Sequence, residues 1–258
     1  MPAVPPVDAA RLVALLGDAS LWGPVEVVAS TGSTNADLMA RLAAGAPQGL
    51  VRLAEHQDGG RARFDRVWVD VPGTAVAVSS LVRPSQPVEM WGWLSLLTGM
   101  AVVRGLRQAC GADASRIGLK WPNDVLVDGA KICGILAEGD GLGAVLGWGL
   151  NVAMSRDELP VASATSLALA GLTTDKTVLV AAVLKALDDY YKLWDSGGDV
   201  KAAYLGVSST IGHEVRVMQA DGVAEGKAVG VDDTGALLVD LPQRGVTAFT
   251  AGDVVHLR

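Results

Sequence analysis

A predicted turn at Asp128-Gly129 makes the middle of this 258-residue chain a β-hairpin. An Asp-Gly pair between two apolar runs indicates a two-residue turn, because both central positions need a positive φ. If the residues flanking the turn pair, Leu126 lies opposite Lys131 and Val125 lies opposite Ile132. This register predicts one face of the hairpin that carries Asp124, Leu126, Lys131 and Cys133.

Lys131 and Asp124 become diagonal neighbours in this register. A lysine beside a carboxylate on a mostly apolar ribbon stays charged and suits an anionic ligand such as a carboxylate or a phosphate. The alternative is a solvated surface hairpin with a weak ion pair. The preceding Trp121-Pro122 pair favours a site, because proline makes the strand end or bulge beside Asn123, and functional residues are common at such places.

Composition and charge exclude several classes of protein. Half of the residues are hydrophobic, so the chain can bury a large core. A net charge of −7 opposes nonspecific binding to nucleic acid, and a single helix candidate at 8–16 is too little for a helix-turn-helix module. The apolar stretches are too short to span a bilayer, and no basic segment precedes one as in a signal peptide. We therefore expect a cytoplasmic protein without a nucleic-acid or membrane partner.

The cysteines and histidines argue against a structural metal. Cys110 and Cys133 give no disulfide framework, and His56, His213 and His256 lack zinc-ligand spacing. No histidine is close to Cys133 in sequence, so we expect this thiol to pack in the core.

Helical and strand patterns alternate in residues 1–206, and a different pattern follows in residues 207–258. The helices are predicted at 8–16, 34–45, 87–109, 180–194 and 199–205, and the strands, besides the hairpin, at 25–29, 49–54, 74–82 and 143–150. The second segment has short alternating strands with turns at Asp221-Gly222, Asp233-Thr234-Gly235 and Arg244-Gly245. These patterns predict a mixed α/β domain followed by a small barrel-like β domain.

The segment Glu55–Arg66, called the arginine loop below, concentrates positive charge in an acidic protein. Arg61, Arg63 and Arg66 follow a double glycine, and such a loop can fold over a polyanion and exclude water when ligand binds. An ordinary solvated loop is the alternative. The segment lacks the lysine and spacing of a P-loop.

Two further polar groups have both a structural and a functional interpretation. Ser33-Thr34-Asn35 at a predicted helix start can cap the helix, or it can bind a small polar head group with the backbone donors there. Asn151 follows Gly147-Trp148-Gly149, where it can contact a nucleotide or merely end a strand.

The order and spacing of these motifs together resemble the biotin protein ligases, in the short form that lacks a DNA-binding domain. The motifs are Ser-Thr-Asn, Gln57 with Gly-Arg-x-Arg-x-x-Arg, Lys-Trp-Pro-Asn-Asp-Val, Lys-x-x-Gly-Ile-Leu-x-Glu and Gly-x-Gly-x-Asn-Val. The resemblance covers the whole chain. It implies an α+β catalytic domain with a mixed, largely antiparallel sheet, like that of biotin ligases and class II aminoacyl-tRNA synthetases, and a small C-terminal SH3-like β-barrel.

The resemblance also implies a two-step reaction. Biotin and MgATP give biotinyl-5′-AMP and pyrophosphate, and the adenylate then acylates a lysine of a biotin carboxyl carrier protein domain of an acyl-CoA carboxylase. The substrates are thus biotin and ATP, with Mg²⁺, and the enzyme is expected to be a monomer or a weak homodimer.

Site residues carry over from the resemblance position by position. The implied biotin-binding residues are Ser33, Thr34, Asn35, Gln57, Arg61, Ala62, Arg63 and Lys131. The implied nucleotide-binding residues are Arg61, Arg63, Arg66, Trp68, Asn123, Lys131 and Asn151. The implied catalytic residues are Lys131, Arg63, Lys120 and Asp124. For Asp124, a metal-linked role, a role toward the incoming lysine and a simple pairing with Lys131 all stay open.

The arginine loop departs from the family pattern at two positions. Ala62 replaces the second glycine of Gly-Arg-Gly-Arg, and Asp65 stands where glycine is common. If position 62 needs a positive φ, alanine costs about 1 kcal/mol and predicts slower loop ordering or weaker adenylate retention. Asp65 is also placed to pair with Arg63 or Arg66.

Two other functions compete with this one. A lipoate-type protein ligase would share the adenylation chemistry, but the Gly-Arg-x-Arg loop and the C-terminal β domain argue against it. A non-catalytic regulator that binds biotin or the adenylate would show binding without turnover.

Overall fold

The computed structural model describes residues 4–111, 116–219 and 222–257, except for the side chain of Asp65. A seven-stranded sheet dominates the larger part. Its strands are β1 (Val25–Val28), β2 (Val51–Ala54), β3 (Ala75–Val82), β4 (Ile117–Lys120), β5 (Asp124–Val127), β6 (Ala130–Gly139) and β7 (Ala144–Asn151). They lie in the order β1-β2-β3-β7-β6-β5-β4, with β1 and β2 parallel and the other neighbours antiparallel. The predicted mixed, largely antiparallel sheet is confirmed.

Helices cover both faces of this sheet. They are α1 (Ala9–Leu16), α2 (Thr34–Ala43), α3 (Trp93–Cys110), α4 (Lys176–Asp195) and α5 (Lys201–Leu205). Helix α3 packs on α4 and on β4, β5 and β6, whereas α2 packs on β3 and β7 from the other side. Among the described residues, no helix has the length and apolar character needed to cross a membrane.

The two faces of the central strands differ in side-chain size. On the α2 face, Ala77 of β3, Gly149 of β7 and Gly134 of β6 lie side by side. The next residues along the strands, such as Val76 and Leu150, point to the α3 face and are fully buried there. Because strand residues alternate between faces, the small residues together leave a groove across the α2 face.

The hairpin of β5 and β6 pairs Leu126 with Lys131, as predicted. One residue further on, a bulge places Val125 opposite Cys133 instead of Ile132. The prediction that Cys133 shares a face with Lys131 was therefore wrong. Its side chain is fully buried in the core, and burial raises the pKa of the thiol, so the expected packing role is confirmed.

The strand before the hairpin ends just before Trp121-Pro122, as the proline led us to expect. Strand β4 ends at Lys120, a three-residue turn contains the Trp121–Pro122 peptide bond, and β5 starts at Asp124. Lys120 and Asp124 are paired across this turn. Asn123 is therefore the last residue of a tight turn, and Asp124 is the first residue of the strand that follows it.

Several predicted element boundaries shift. Helix α3 starts at Trp93 and not at 87, because Val88–Met90 forms a separate 3-10 turn. Helix α4 starts at Lys176, before the predicted 180, because Asp175 caps it by accepting from Val178 N.

The C-terminal segment folds into a five-stranded antiparallel sheet. Its strands are β8 (Glu214–Gln219), β9 (Gly222–Val231), β10 (Leu237–Leu241), β11 (Gly245–Phe249) and β12 (Asp253–His256), in the order β11-β10-β9-β8-β12. Part of the predicted Asp221-Gly222 turn lies outside the described residues. The buried cores of the two parts form one cluster, and the Trp93 Nε1 atom donates to the Asp233 carbonyl at 2.8 Å. The division at 206/207 stays a prediction.

Candidate functional site

A first cavity of about 470 Å³ lies in the groove on the α2 face of the sheet. It is enclosed by the start of α2, by the arginine loop and by strands β6 and β7. The lining side chains and backbone come from Ser33, Thr34, Asn35, Gln57, Arg61, Ala62, Trp68, Ala77, Asn123, Lys131, Gly134, Ile135, Leu136, Gly147, Trp148 and Gly149.

A second, wider cavity of about 900 Å³ adjoins the first. Its walls are Ala62, Arg63, Arg66, Val67, Trp68, Val69, Asn123, Asp124, Lys131, Asn151, Pro160, Val161, Ala164 and Asp253. Four residues line both cavities: Ala62, Trp68, Asn123 and Lys131. The two cavities are therefore neighbouring compartments that meet at these side chains.

At the start of helix α2, the Ser-Thr-Asn motif both caps the helix and lines the first cavity. Ser33 caps the helix, with its hydroxyl accepting from Ala36 N at 3.4 Å. Thr34 and Asn35 follow in the first turn and are buried, with Asn35 only 5% exposed. The cap thus turns the next two side chains into the cavity wall.

A chain of hydrogen bonds connects these side chains with Gln57 and Ser79. Gln57 Oε1 accepts from Thr34 N at 2.8 Å, which leaves the Gln57 amide nitrogen as a donor beside Gly60. Ser79 Oγ lies 2.7 Å from Thr34 Oγ1 and 2.6 Å from Asn35 Oδ1. All four side chains are buried, so their orientations are fixed before any ligand arrives.

Ser79 supports this cavity wall through its hydrogen bonds, and no sequence motif predicted it. Ser79 and Ser80 are the two hydroxyl residues of the otherwise apolar strand β3, and both are fully buried. Buried hydroxyl groups need partners, so a serine pair inside a core strand was the available signal.

Two glycines of β7 make room for the site. A Cβ at Gly147 would lie 2.0 Å from Asn35 Oδ1, and a Cβ at Gly149 would lie 2.6 Å from the Trp68 ring. A Cβ at Gly134 of β6 would lie 3.3 Å from the same ring. The Gly-x-Gly motif therefore seats Asn35 and Trp68 on the floor of the groove.

Lys131 stands where the two cavities meet. Its Nζ lies 2.5 Å from Asp124 Oδ1, and the lysine side chain is 35% exposed, so the predicted diagonal contact is confirmed. The backbone is held by a second segment, since Lys131 N donates to Ser163 O at 2.9 Å and Thr165 N donates to Lys131 O at 2.8 Å. The arrangement places the charged Lys131 side chain at the boundary, where it lines both cavities.

The arginine loop folds onto the body of the protein. Arg61 Nη2 donates to Glu138 Oε1 at 2.6 Å, and Arg63 Nη1 donates to Asn123 Oδ1 at 3.1 Å. Arg66 forms an ion pair with Asp253 of β12, and Arg63 also reaches the Gly252 carbonyl at 3.4 Å. Burial lowers the pKa of Arg63, although its guanidinium stays charged. A freely solvated loop is therefore excluded in this structure.

The base of the loop is anchored by two further contacts that the sequence analysis missed. The buried Lys176 of α4 pairs with Glu55 at 2.5 Å, and His56 bridges Asp58 and Asp70. The hydrogen bond to Asp70 is the main reason that the pKa of His56 is raised above its usual value.

Ala62 has an extended conformation, with a φ of −138° and a ψ of 175°. The expectation of strain at this alanine therefore finds no basis here, because the position does not need a positive φ. The left-handed residue of the loop is Phe64, with a φ of 56°. The predicted pairing of Asp65 with a neighbouring arginine concerns a side chain outside the described part.

Two predicted site residues lie in different surroundings. Asn151 lines the second cavity. Its Nδ2 donates to Thr165 O at 3.0 Å, so the side chain also ties the end of β7 to a neighbouring segment. Lys120 lines neither cavity. Burial, together with the charge of Lys120, lowers the pKa of His256 to about 4, which places this lysine on the side of the C-terminal sheet.

No group of three or more potential metal ligands occurs among the described residues. The second cavity nevertheless contains two carboxylates, Asp124 and Asp253, the second of which is paired with Arg66. The second cavity therefore offers arginine and lysine side chains for anionic groups and two carboxylates as oxygen donors.

Comparison with known proteins agrees with this geometry. Residues 27–151 match the Biotin/lipoate A/B protein ligase family, and residues 210–257 match the Biotin protein ligase C terminal domain. The fold is shared with the biotin protein ligase of Aquifex aeolicus in complex with biotin and ATP, with a TM-score of 0.76, 24% identity and coverage of 92% of this chain and 100% of that one.

Two relatives are similar enough in sequence to carry the assignment. The bifunctional ligase/repressor BirA of Bacillus subtilis is 32% identical, over 89% of this chain and 72% of that protein. The biotin--[acetyl-CoA-carboxylase] ligase of Mycobacterium tuberculosis is 41% identical, over 98% of this chain and 97% of that protein. With both domains matched and almost the full length aligned, this chain belongs to the biotin protein ligase family.

Proposed function

We propose that this enzyme activates biotin with ATP to biotinyl-5′-AMP and transfers the biotinyl group to a lysine of a biotin carboxyl carrier protein domain. The observation that carries the proposal is the position of Lys131 between two cavities of different character. A reaction that joins two anionic substrates needs a cation at the point where they meet, because mutual repulsion opposes their approach.

Biotin fits the first cavity. The buried Gln57, Thr34 and Ser79 offer donors and acceptors for a polar head group at one end, and Lys131 stands at the other end for a carboxylate. Asn35 and Trp68, seated on the glycines, form the floor on which a small bicyclic head group would lie.

ATP fits the second cavity. Arg63 and Arg66 supply positive charge for phosphates, Trp68 offers an aromatic face, and Asn151 offers an amide. The biotin carboxylate attacks the α-phosphate, the new bond is an acyl–phosphate bond, and pyrophosphate leaves. The nucleophile is already an anion, so this step needs no general base.

The second step transfers the acyl group. The amine of the carrier lysine attacks the carbonyl carbon of the adenylate, AMP leaves, and the amine loses a proton. Asp124 lies 2.5 Å from Lys131, close to the place where the cavities meet, and we assign to it the orientation of Lys131 and of the incoming amine.

Magnesium is expected to accompany ATP. Mg²⁺ binds through one or two carboxylates together with substrate phosphates and waters, and the Asp124 carboxylate in the second cavity fits that donor set. When bound, the ion would neutralise phosphate charge as pyrophosphate departs. Asp124 would hold it, with Lys131 remaining as the cation on the side of the biotin carboxylate.

The proposal also covers the acceptor protein, the cellular location and the oligomeric state. The Mycobacterium tuberculosis relative is named a ligase for acetyl-CoA-carboxylase, which supports a carboxylase carrier domain as acceptor. We propose a cytoplasmic enzyme that is a monomer or weak homodimer and has no nucleic-acid partner, since a net charge of −7 opposes binding to a polyanion.

The test is an incubation of the protein with ATP, Mg²⁺ and a carrier domain, with biotin or lipoate as the acid. Mass spectrometry of the carrier should show a biotinyl group on one lysine and no lipoyl group. A lipoylated carrier would support the lipoate-type alternative. Biotin binding without any modified carrier would support the non-catalytic regulator and overturn the proposal.

A further inference from the structure

Glu138 of β6 connects the arginine loop to the floor of the first cavity. Its Oε1 accepts from Arg61 Nη2 at 2.6 Å, and its Oε2 accepts from Asn35 Nδ2 at 2.9 Å. The carboxylate side chain is only 19% exposed, whereas the arginine is 49% exposed. One carboxylate thus holds a half-exposed partner on one oxygen and a buried partner on the other.

The amide of Asn35 has no freedom left in this arrangement. One of its two N–H groups donates to Glu138 and the other to the Leu136 carbonyl at 3.0 Å. Its Oδ1 atom therefore accepts from Ser79 Oγ at 2.6 Å. Because a hydroxyl has one proton, Ser79 cannot also donate to Thr34, and the Thr34 hydroxyl is left with two acceptors, Ser79 Oγ at 2.7 Å and Gln57 Oε1 at 3.1 Å.

Glu138 and the Leu136 carbonyl together fix the orientation of the Asn35 amide. An ionised carboxylate only accepts, so it fixes which end of the Asn35 amide faces it. Asn35 then sets the proton of Ser79, and the neighbouring Thr34 hydroxyl has Ser79 Oγ and Gln57 Oε1 as its acceptors. The donors and acceptors on this wall of the cavity therefore depend on the orientation of the Asn35 amide.

We propose that Glu138 is a positioning residue that couples closure of the arginine loop to the hydrogen-bond pattern of the first cavity. The inference rests on the proposed function, since the ligand is the biotinyl group. When Arg61 leaves, a largely buried carboxylate loses its cation, which disfavours the open loop. By linkage, a ligand that stabilises the ordered chain also favours the closed position of Arg61.

The test is Glu138→Gln, a variant of nearly equal shape. Glutamine can still present one oxygen to Asn35, but its other end carries N–H groups that cannot pair with Arg61. We expect biotinyl-5′-AMP to dissociate about tenfold faster and the KM for biotin to rise by a similar factor, with kcat for adenylate formation within about threefold. A change in kcat alone would contradict a positioning role.

The matched control is Glu225→Gln. Glu225 also lies on a strand and pairs with an arginine, Arg216, at 2.6 Å, but it belongs to the C-terminal sheet and lines neither cavity. The adenylate off-rate and the KM for biotin should equal those of the wild type. Parallel changes in both variants would show a general effect of charge and overturn the inference.

A double-mutant cycle with Arg61→Ala isolates the coupling. If Glu138 acts through Arg61, Glu138→Gln should accelerate adenylate release much less in the Arg61→Ala background than in the wild type. Additive effects overturn the inference and leave the proposed function intact. A wild-type protein that binds no biotin overturns both.

Discussion

The two cavities of this enzyme are built in opposite ways. The first is made of buried side chains on the sheet and helix α2 that hydrogen-bond to one another. The second is closed on one side by Arg63 and Arg66, which reach from a loop to Asn123 and to the C-terminal sheet. A preformed cavity suits selection of one small molecule, whereas an assembled cavity suits a larger ligand that must enter and whose product must leave.

Lys131 belongs to both cavities, so its loss should have the largest effect. In Lys131→Ala, adenylate formation should fall by about 10²–10³-fold, because a cation at the reacting groups is removed. Pyrophosphate release with biotin and ATP measures this. Lys120→Ala is the control, and it should lose less than about tenfold, since Lys120 lines neither cavity. Near-normal pyrophosphate release from Lys131→Ala would remove it from the site.

Gly147→Ala should damage the first cavity and spare the second. The new Cβ would lie 2.0 Å from Asn35 Oδ1. Overpacking of this kind costs about 1–3 kcal/mol, which predicts a rise in the KM for biotin of about 10–100-fold with little change in the KM for ATP. In Gly230→Ala the nearest atom would lie at 4.0 Å, so that variant should match the wild type. Equal losses for both substrates would mean that the cavities are not separable.

Arg63→Ala should damage the second cavity and spare the first. Its guanidinium ties the loop to Asn123 and to the Gly252 carbonyl. We expect the lifetime of the bound adenylate to shorten about tenfold, with a change in the free energy of unfolding of less than about 1.5 kcal/mol. Stopped-flow dissociation and chemical denaturation measure the two quantities. An unchanged adenylate lifetime would contradict the loop assignment.

The anchoring of the loop by His56 should depend on pH. Its pKa is raised in the folded protein, chiefly by the hydrogen bond to Asp70. The ion pair therefore stabilises the folded state fully below the unfolded pKa of about 6.5 and is lost as the pH rises through the folded pKa. His56→Gln should be less stable than the wild type by up to about 1 kcal/mol at pH 5.5, and the difference should vanish at pH 9. Thermal denaturation at both pH values tests this, and a constant difference would contradict it.

Ala62→Gly should have the smallest effect. Position 62 is extended and accepts alanine without strain. We expect the adenylate off-rate to change by less than about twofold, because glycine relieves nothing at a negative φ. A severalfold slower release would show that the bound loop needs a positive φ at this position, which is the condition under which the sequence predicts weaker adenylate retention.

Local rules predicted much of the fold. The Asp-Gly turn and the apolar spacing of α4 depend on neighbouring residues alone, and both elements lie where these rules place them to within a few residues. The largely antiparallel sheet followed from the family resemblance.

Long-range packing decided the features that sequence could not predict. The bulge in β6 lets both Ile132 and Cys133 enter the core. The residues of the Asp-Gly turn do not predict such a bulge. The position of Lys120 outside both cavities follows from no local sequence rule. Ser79 joined the site through partners that lie more than forty residues away in sequence.

Strand β7 runs beneath both cavities and sets the spacing of three floor positions. Gly147 seats Asn35, Gly149 seats Trp68, and Asn151 lines the second cavity, each two residues after the last. Alternate residues of an extended strand are about 6.6–6.8 Å apart, so the floor beneath the two compartments spans about 13 Å of covalently fixed backbone. Side-chain substitutions can change the walls of either cavity, but they leave the spacing of these three floor positions unchanged, because the extended backbone sets it.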